Sequence, residues 1–280
     1  MFNIEDIRSL IPTIIGDTSF YLESKNNLMD VVNHKSTVGL ATDTVSFPTI
    51  QKYSSSDVYE LDIGTDASVY SDPALSAIDA KITKENVIMA KIPKMTTLTK
   101  DDIVETVVNL FVDAELSKVE KDIVEKFSSF TTTIGGAGTI FTPQLIANAK
   151  KAIQMKKFGL VGMISENQYY GPKGLFGFTQ SDHFEGVLGK EFIMKGFVSN
   201  AYNIDWLPSS EISEDIGGLG DAGGAIMTKR AIGLHTKNLA DIEMELHAVG
   251  RYYIIVCTGR FKTVMVNTNQ GIYLLTDVTV

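Results

Sequence analysis

Gly218-Leu219-Gly220-Asp221-Ala222-Gly223 has the G-x-G-x-x-G spacing with which a strand-to-helix turn receives a pyrophosphate. Asp241 follows about twenty residues on, where such sites hold a ribose hydroxyl. The flanks do not suit that chemistry. Ser209 to Asp215 is polar and acidic where a strand should deliver the turn, and Ala225 to Leu234 reads as a strand where a helix should follow. A flexible loop without a cofactor is expected here. Gly135-Gly136-Ala137-Gly138 does precede a helix, but it lacks the Gly-Lys-Ser/Thr ending that holds a terminal phosphate and Mg²⁺, so it reads as a hinge.

Other chemistry is equally thin. The four histidines, His34, His183, His235 and His247, stand outside any HExxH or paired-cysteine context, so no metal site is expected. Glu243 and His247 have helical spacing, but the alternation around them places both on the solvated face of a strand. Cys257, the single cysteine, lies in an apolar run with no cation to lower its pKa, and is expected to be a buried structural thiol. There is no G-x-S-x-G elbow and no isolated pair of carboxylates suited to acid/base work. No catalytic, cofactor-binding or metal-binding residue is assigned, and the chain is read as a non-enzyme.

The elements around these residues are more informative. With 280 residues, 44% of them hydrophobic and 21% charged, the chain can bury a substantial core. A net charge of −9 argues against a dedicated nucleic-acid binder but suits a wall that merely faces DNA. Met1 to Leu10 carries Glu5 and Asp6 where a signal peptide needs basic residues, and no apolar stretch has the length of a bilayer span, so no membrane association is expected.

Residues 1–36 suggest a short helix and an extended arm. Alternation in Thr44-Val45-Ser46-Phe47 and the run from Lys81 through Val87, Met89 and Ile92 suggest a long two-stranded projection over 37–97, with a polar middle. Such a ribbon is marginal alone and needs something to lie against. The strongest helical pattern covers 99–127, with Thr99 as N-cap, Asp101 and Asp102 in the first turn, and Ile103, Val107, Leu110, Phe111, Ala114, Val119, Ile123 and Phe127 as its apolar stripe. Its length would be about 40 Å. Thr142-Pro143 opens a second helix carrying Leu145, Ile146, Ala149 and Ile153. Short strands follow at 159–164, 192–199 and 227–234. Ile242, Met244, Leu246 and Ala248 then alternate with polar residues, Tyr252 to Cys257 and Phe261 to Val266 suggest a hairpin turning at Thr258-Gly259-Arg260, and Ile272 to Leu275 adds a last strand.

This order of parts resembles the major capsid protein family of tailed bacteriophages, whose fold also builds encapsulin shells and herpesvirus capsid floors. Gly64-Thr65-Asp66-Ala67-Ser68 resembles the tip of that family's extended loop, and the 101–127 helix resembles its spine. Ser165-Glu166-Asn167-Gln168-Tyr169-Tyr170 is similar to a helix-opening H-P-x-Q segment without its His and Pro, and Gly196-Phe197-Val198-Ser199-Asn200 is similar to a G-x-x-V-x-x-S-N strand end.

The resemblance implies an α+β phage major capsid fold with an N-terminal arm (1–36), an extended β-hairpin loop (37–97), a peripheral domain with a long spine helix (98–133 and 239–280) and an axial domain (134–238). It implies self-assembly into hexamers and pentamers of an icosahedral shell around double-stranded DNA bound without sequence specificity. The resemblance also implies portal, scaffolding and decoration proteins as partners, assembly in the host cytoplasm and residence in the virion. An encapsulin-like compartment is the alternative within the same fold; a tail or adhesin component, or an enzyme using the 217–224 loop, lies outside it. Some family members join loop lysines to asparagines, which here would involve Lys81 or Lys84 with Asn267 or Asn269.

Overall fold

The computed structural model describes residues 29, 31–49, 76–93, 103–153, 159–175, 200–218 and 220–278. The readings at arm residues 1–28 and 30, the loop tip 64–68, the Thr99 cap, the 192–199 strand and His183 fall outside these residues, while the end of the arm forms a strand, Asn33–Ser36, preceded by the buried Val31 and Val32. Among the described residues, three sheets and three α-helices make a mixed α+β fold.

The strands are β1 (Asn33–Ser36), β2 (Thr44–Thr49), β3 (Ser76–Lys81), β4 (Asn86–Pro93), β5 (Thr132–Gly135), β6 (Leu160–Ser165), β7 (Asn200–Ala201), β8 (Ile204–Ser209), β9 (Asp221–Thr228), β10 (Ile232–His247), β11 (Tyr252–Met265) and β12 (Gly271–Asp277). The helices are α1 (Ile103–Val124), α2 (Pro143–Ala152) and α3 (Glu166–Tyr170). A four-stranded sheet runs β1-β10-β11-β4, a six-stranded sheet runs β5-β12-β9-β6-β8-β7, and β2 pairs with β3 alone.

In the six-stranded sheet, β9 is buried along its whole length. Ile226 faces the core made by Leu145, Ile146 and Ala149 of α2, while Ala225 and Met227 face the core that holds Ile123 and Phe127. A strand covered on both faces cannot alternate, which is why Ala-Gly-Gly-Ala-Ile-Met shows no period of two. The run read as one strand ending at Leu234 is in fact two. Lys229 and Arg230 turn the chain out of the six-stranded sheet, and β10 begins in the four-stranded one.

Helix α1 is described over 22 residues, about 33 Å at the usual rise, and ends at Val124 rather than at the expected Phe127. Its buried stripe also differs. Val108, Phe111, Val112, Glu115, Val119 and Ile123 face inward, while Leu110 is exposed. A carboxylate in the stripe is what displaced the reading, because apolar periodicity skips a buried Glu.

Helix α2 begins as expected, with Pro143 at its first position and the Thr142 side chain accepting from the Leu145 N–H at 3.2 Å. The Ser165 segment likewise opens a helix. Ser165 accepts from Gln168 N at 3.1 Å and the Gln168 side chain accepts from Ser165 N at 2.9 Å, a reciprocal cap that replaces the missing His and Pro.

The expected hairpin at Thr258-Gly259-Arg260 is not a turn. β11 runs unbroken for 14 residues and pairs with β10 on one side and β4 on the other. Gly259 is required there for space, since a Cβ on it would lie 2.4 Å from the Glu115 carboxylate. The real hairpin turn is Ala248 to Arg251, where Arg251 takes a left-handed φ of 54°.

Candidate assembly surface

The β2–β3 ribbon departs from the rest of the chain at a defined root. Its register runs from Thr44↔Lys81 to Thr49↔Ser76, so residues 50–75 connect the strands at the latter end. Run β4, read as part of the same projection, instead joins the four-stranded sheet as its edge. Alternation in β2 points Val45 and Phe47 the same way, and with Ala80 they pack on Val264 and Val266. Phe47 is fully buried and lies flat on Gly233 of β10, where a Cβ would stand 2.9 Å from the ring. The Lys35 ammonium sits over that ring, 5.0 Å from its centre, and donates to Ser46 O at 2.7 Å.

His235 binds three segments together at the root. Its Nδ1 pairs with the Ala80 carbonyl at 2.9 Å, which makes Nδ1 the donor, and Nε2 then accepts from the Thr37 hydroxyl at 2.8 Å. Beside it His34 Nε2 meets Thr236 Oγ1 at 2.7 Å. Burial first, and the neighbouring His235 second, hold His34 below the ordinary imidazole pKa. An exposed ion pair, Lys237 to Asp43, closes the far end; its charge partner lowers the Asp43 pKa.

The outward face of the four-stranded sheet carries a patterned surface. Register places Asp241, Thr258 and Val87 in one row, Glu243, Val256 and Met89 in the next, and Glu245, Ile254 and Lys91 in the third. An acidic column on β10 therefore flanks half-buried aliphatic side chains on β11 and exposed Val87 and Met89 on the edge strand. The Lys91 ammonium lies 3.7 Å from the centre of the Tyr252 ring, and His247 stacks on the same ring at 4.8 Å. Val249, at the hairpin tip, is 93% exposed. Unpaired strand edges and exposed aliphatic side chains are features that association with another chain would cover.

The described residues with conceivable chemistry take the following places. Both glycine clusters meet at one end of the six-stranded sheet. Gly138 N donates to the buried Asp221 carboxylate at 3.3 Å, Gly136 N to Leu275 O at 3.0 Å, and Val278 N to Gly220 O at 3.0 Å. The expected hinge is thus a pinned turn, and Asp221, Ala222 and Gly223 of the expected loop belong to β9. No helix follows them, and Asp241 stands on the exposed face of β10. Cys257 is buried, and its thiol is pushed up to about 12 by desolvation and then by the Glu115 and Asp241 charges. Among the described residues no group of three or more His, Cys, Asp or Glu could hold a metal ion, and no helix is long and apolar enough to cross a membrane. Lys81 is exposed on β3, Lys84 is exposed in the link to β4, and Asn267 accepts from Asn269 N at 3.0 Å.

Sequence reasoning missed Glu115 and the root contacts of Phe47 and His235. Phe47 had a visible signal, the alternation of β2, but its partner Gly233 lies far along the chain and leaves none.

No protein-family model matches this sequence, and no curated protein matches it significantly. Solved structures do. A chain of Microbacterium phage Oxtober96 superposes with a TM-score of 0.64 at 11% identity, covering 90% of this chain and 90% of that one. A chain of the acidic stable capsid of Helicobacter pylori bacteriophage KHP30 gives 0.61 at 10% identity over 90% and 92%. A chain of the capsid of Ralstonia phage GP4 gives 0.60 at 12% identity over 89% and 88%. At such identities the likeness is one of fold: the chain has the phage major capsid protein fold.

Proposed function

We propose that this chain is a major capsid protein, a non-enzymatic subunit that assembles into hexamers and pentamers of an icosahedral phage shell around double-stranded DNA. The observation that carries the reading is the likeness to chains of two phage capsids over about nine-tenths of both partners. The ribbon supports it. Its described part is rooted through Phe47 and Ala80 while Ser46, Pro48, Ala77 and Asp79 are exposed, and a two-stranded ribbon is marginal without something to lie against. In the proposed division, 1–36 is the arm, 37–97 the extended loop, 98–133 with 239–280 the peripheral domain, and 134–238 the axial domain. The net charge of −9 fits a wall that DNA does not stick to. Portal, scaffolding and decoration proteins would be further partners, with assembly in the host cytoplasm and the virion as destination.

Negative-stain imaging of the purified full-length chain tests the proposal. Rings or closed shells are expected. A stable monomer at high concentration under assembly-permissive conditions would overturn it. Nuclease-protected DNA inside the particles marks a phage capsid, whereas a co-purifying cargo protein without DNA replaces this reading with an encapsulin-like compartment.

A further inference from the structure

Glu115 lies midway along α1 on the side facing the four-stranded sheet, 1% exposed, and neither carboxylate oxygen has a hydrogen-bond partner. Buried carboxylates normally accept from several donors, because an ionised group removed from water without them is strongly disfavoured. Arg260 Nε is the other buried side-chain atom without a partner among the described residues, and the Arg260 guanidinium is engaged with Glu85 at 2.6 Å.

The slot that Glu115 fills is made by two irregularities facing each other. On β11, Gly259 leaves room; a Cβ there would be 2.4 Å from Glu115 Oε2 and 3.2 Å from the Leu239 carbonyl oxygen. On β10 the ladder slips, because Asn238 pairs with Arg260 and Asp241 with Thr258, so Leu239 and Ala240 are both crowded opposite Gly259. A bulge of this kind bends its strand and interrupts pairing, making it the natural place for the sheet to yield.

The surrounding charges do not rescue an anion. On α1, Lys118 attracts Glu115 but is ion-paired with Asp122 at 2.6 Å, and Asp113 lies one half-turn before. On β11 are the neutral Cys257 thiol and Arg260; on β10 are Asp241, which is acidic, and Lys237, which is held by Asp43. Before β4 stands Glu85. Desolvation prevails over the Lys118 attraction and pushes the carboxyl up to about 7.

We infer that Glu115 is a proton-operated latch between α1 and the β10–β11 bulge. Protonated, it stays buried against Gly259; ionised, it leaves the slot and α1 loosens from the sheet. The proton goes to solvent. A raised pKa in the closed form means that the contact is fully present below the ordinary Glu value of 4.5 and is lost as pH rises through about 7. The latch belongs to the single subunit, so it stands or falls independently of shell formation.

Hydrogen–deuterium exchange on the full-length subunit from pH 5 to 9, corrected for the intrinsic rate, tests it. The opening constant of α1 and of the β10–β11 bulge should rise roughly tenfold per pH unit between pH 5 and 7 and level off above pH 8. Glu115→Gln and Glu115→Met should flatten that profile. Should Glu115→Gln fail to fold, Glu115→Met carries the comparison, and Gly259→Ala should hold the opening constant high at every pH by filling the slot. A wild-type profile flat after correction, or one that a folded Glu115 variant reproduces, overturns the latch.

Discussion

Gly162 and Trp206 are register partners in the parallel pair of β6 and β8, and the indole lies so close over Gly162 that a Cβ there would stand 2.2 Å from a ring carbon. Trp206 is 4% exposed and meets Phe141 edge-to-face at 5.7 Å, so the ring cannot move aside freely. Gly162→Ala should therefore destabilise by about 1–3 kcal/mol, the usual range for overpacking a filled core. The denaturant midpoint should fall with an unchanged m-value. An unchanged midpoint would mean that the Trp206 ring is not fixed where it is seen.

Phe47→Ala tests the root of the ribbon. Phe47 is fully buried against Gly233, so truncation should cost about 3–5 kcal/mol in local docking. Exchange protection of Thr44–Thr49 and Ser76–Lys81 should collapse while that of β9 is retained. Equal loss in both places would show that the ribbon and the six-stranded sheet unfold together.

These two contacts also show where sequence reading succeeds and where it stops. Helix α2 was legible because Thr142, Pro143 and the stripe of Leu145, Ile146 and Ala149 all act within one helix. The Tyr252–Met265 strand was cut in two because Thr258-Gly259-Arg260 carries a turn signal, whereas the glycine serves a long-range approach by Glu115. The same blindness hid Phe47 on Gly233 and the two-sided burial of β9: pairing across the chain leaves no local pattern. The expectation of no chemical site rests on local patterns, and the proposed assembly surface emerged only once β4, β10 and β11 were seen side by side.

Gln168 joins three elements of the six-stranded sheet. Its side-chain amide donates to Ala222 O at 2.9 Å and Thr276 Oγ1 at 2.7 Å, and its carbonyl caps Ser165 N at 2.9 Å. Gln168→Ala leaves two acceptors, Ala222 O and Thr276 Oγ1, and one donor, Ser165 N, without this partner and should cost more than an ordinary polar truncation, about 2–3 kcal/mol. Thermal melting checks this. Thr142→Ala, which loses a single cap bond to Leu145 N, should cost about 1 kcal/mol and serves as the internal scale.

The last prediction sets two titrations against each other. His34 has its pKa lowered by burial and by His235, so the folded subunit takes up its proton less readily than the unfolded chain. Its contribution is therefore present above the ordinary value of 6.5 and is lost as pH falls through the lowered one. Protonation would place a half-buried cation beside His235, so β1 should detach from β10 on the acid side. Glu115 acts in the opposite direction, failing as pH rises through about 7. His34 lies on β1 and Glu115 on α1 against the β10–β11 bulge, so the two flanks should separate by mutation. His34→Asn should remove the acid-side loss of protection at Asn33–Ser36 and leave the alkaline loosening of α1 intact, while Glu115→Gln should do the reverse. If His34→Asn altered the alkaline flank, the two sites would be coupled through β10, and the bulge at Leu239 and Ala240 would be transmitting strain along the strand rather than isolating its two halves.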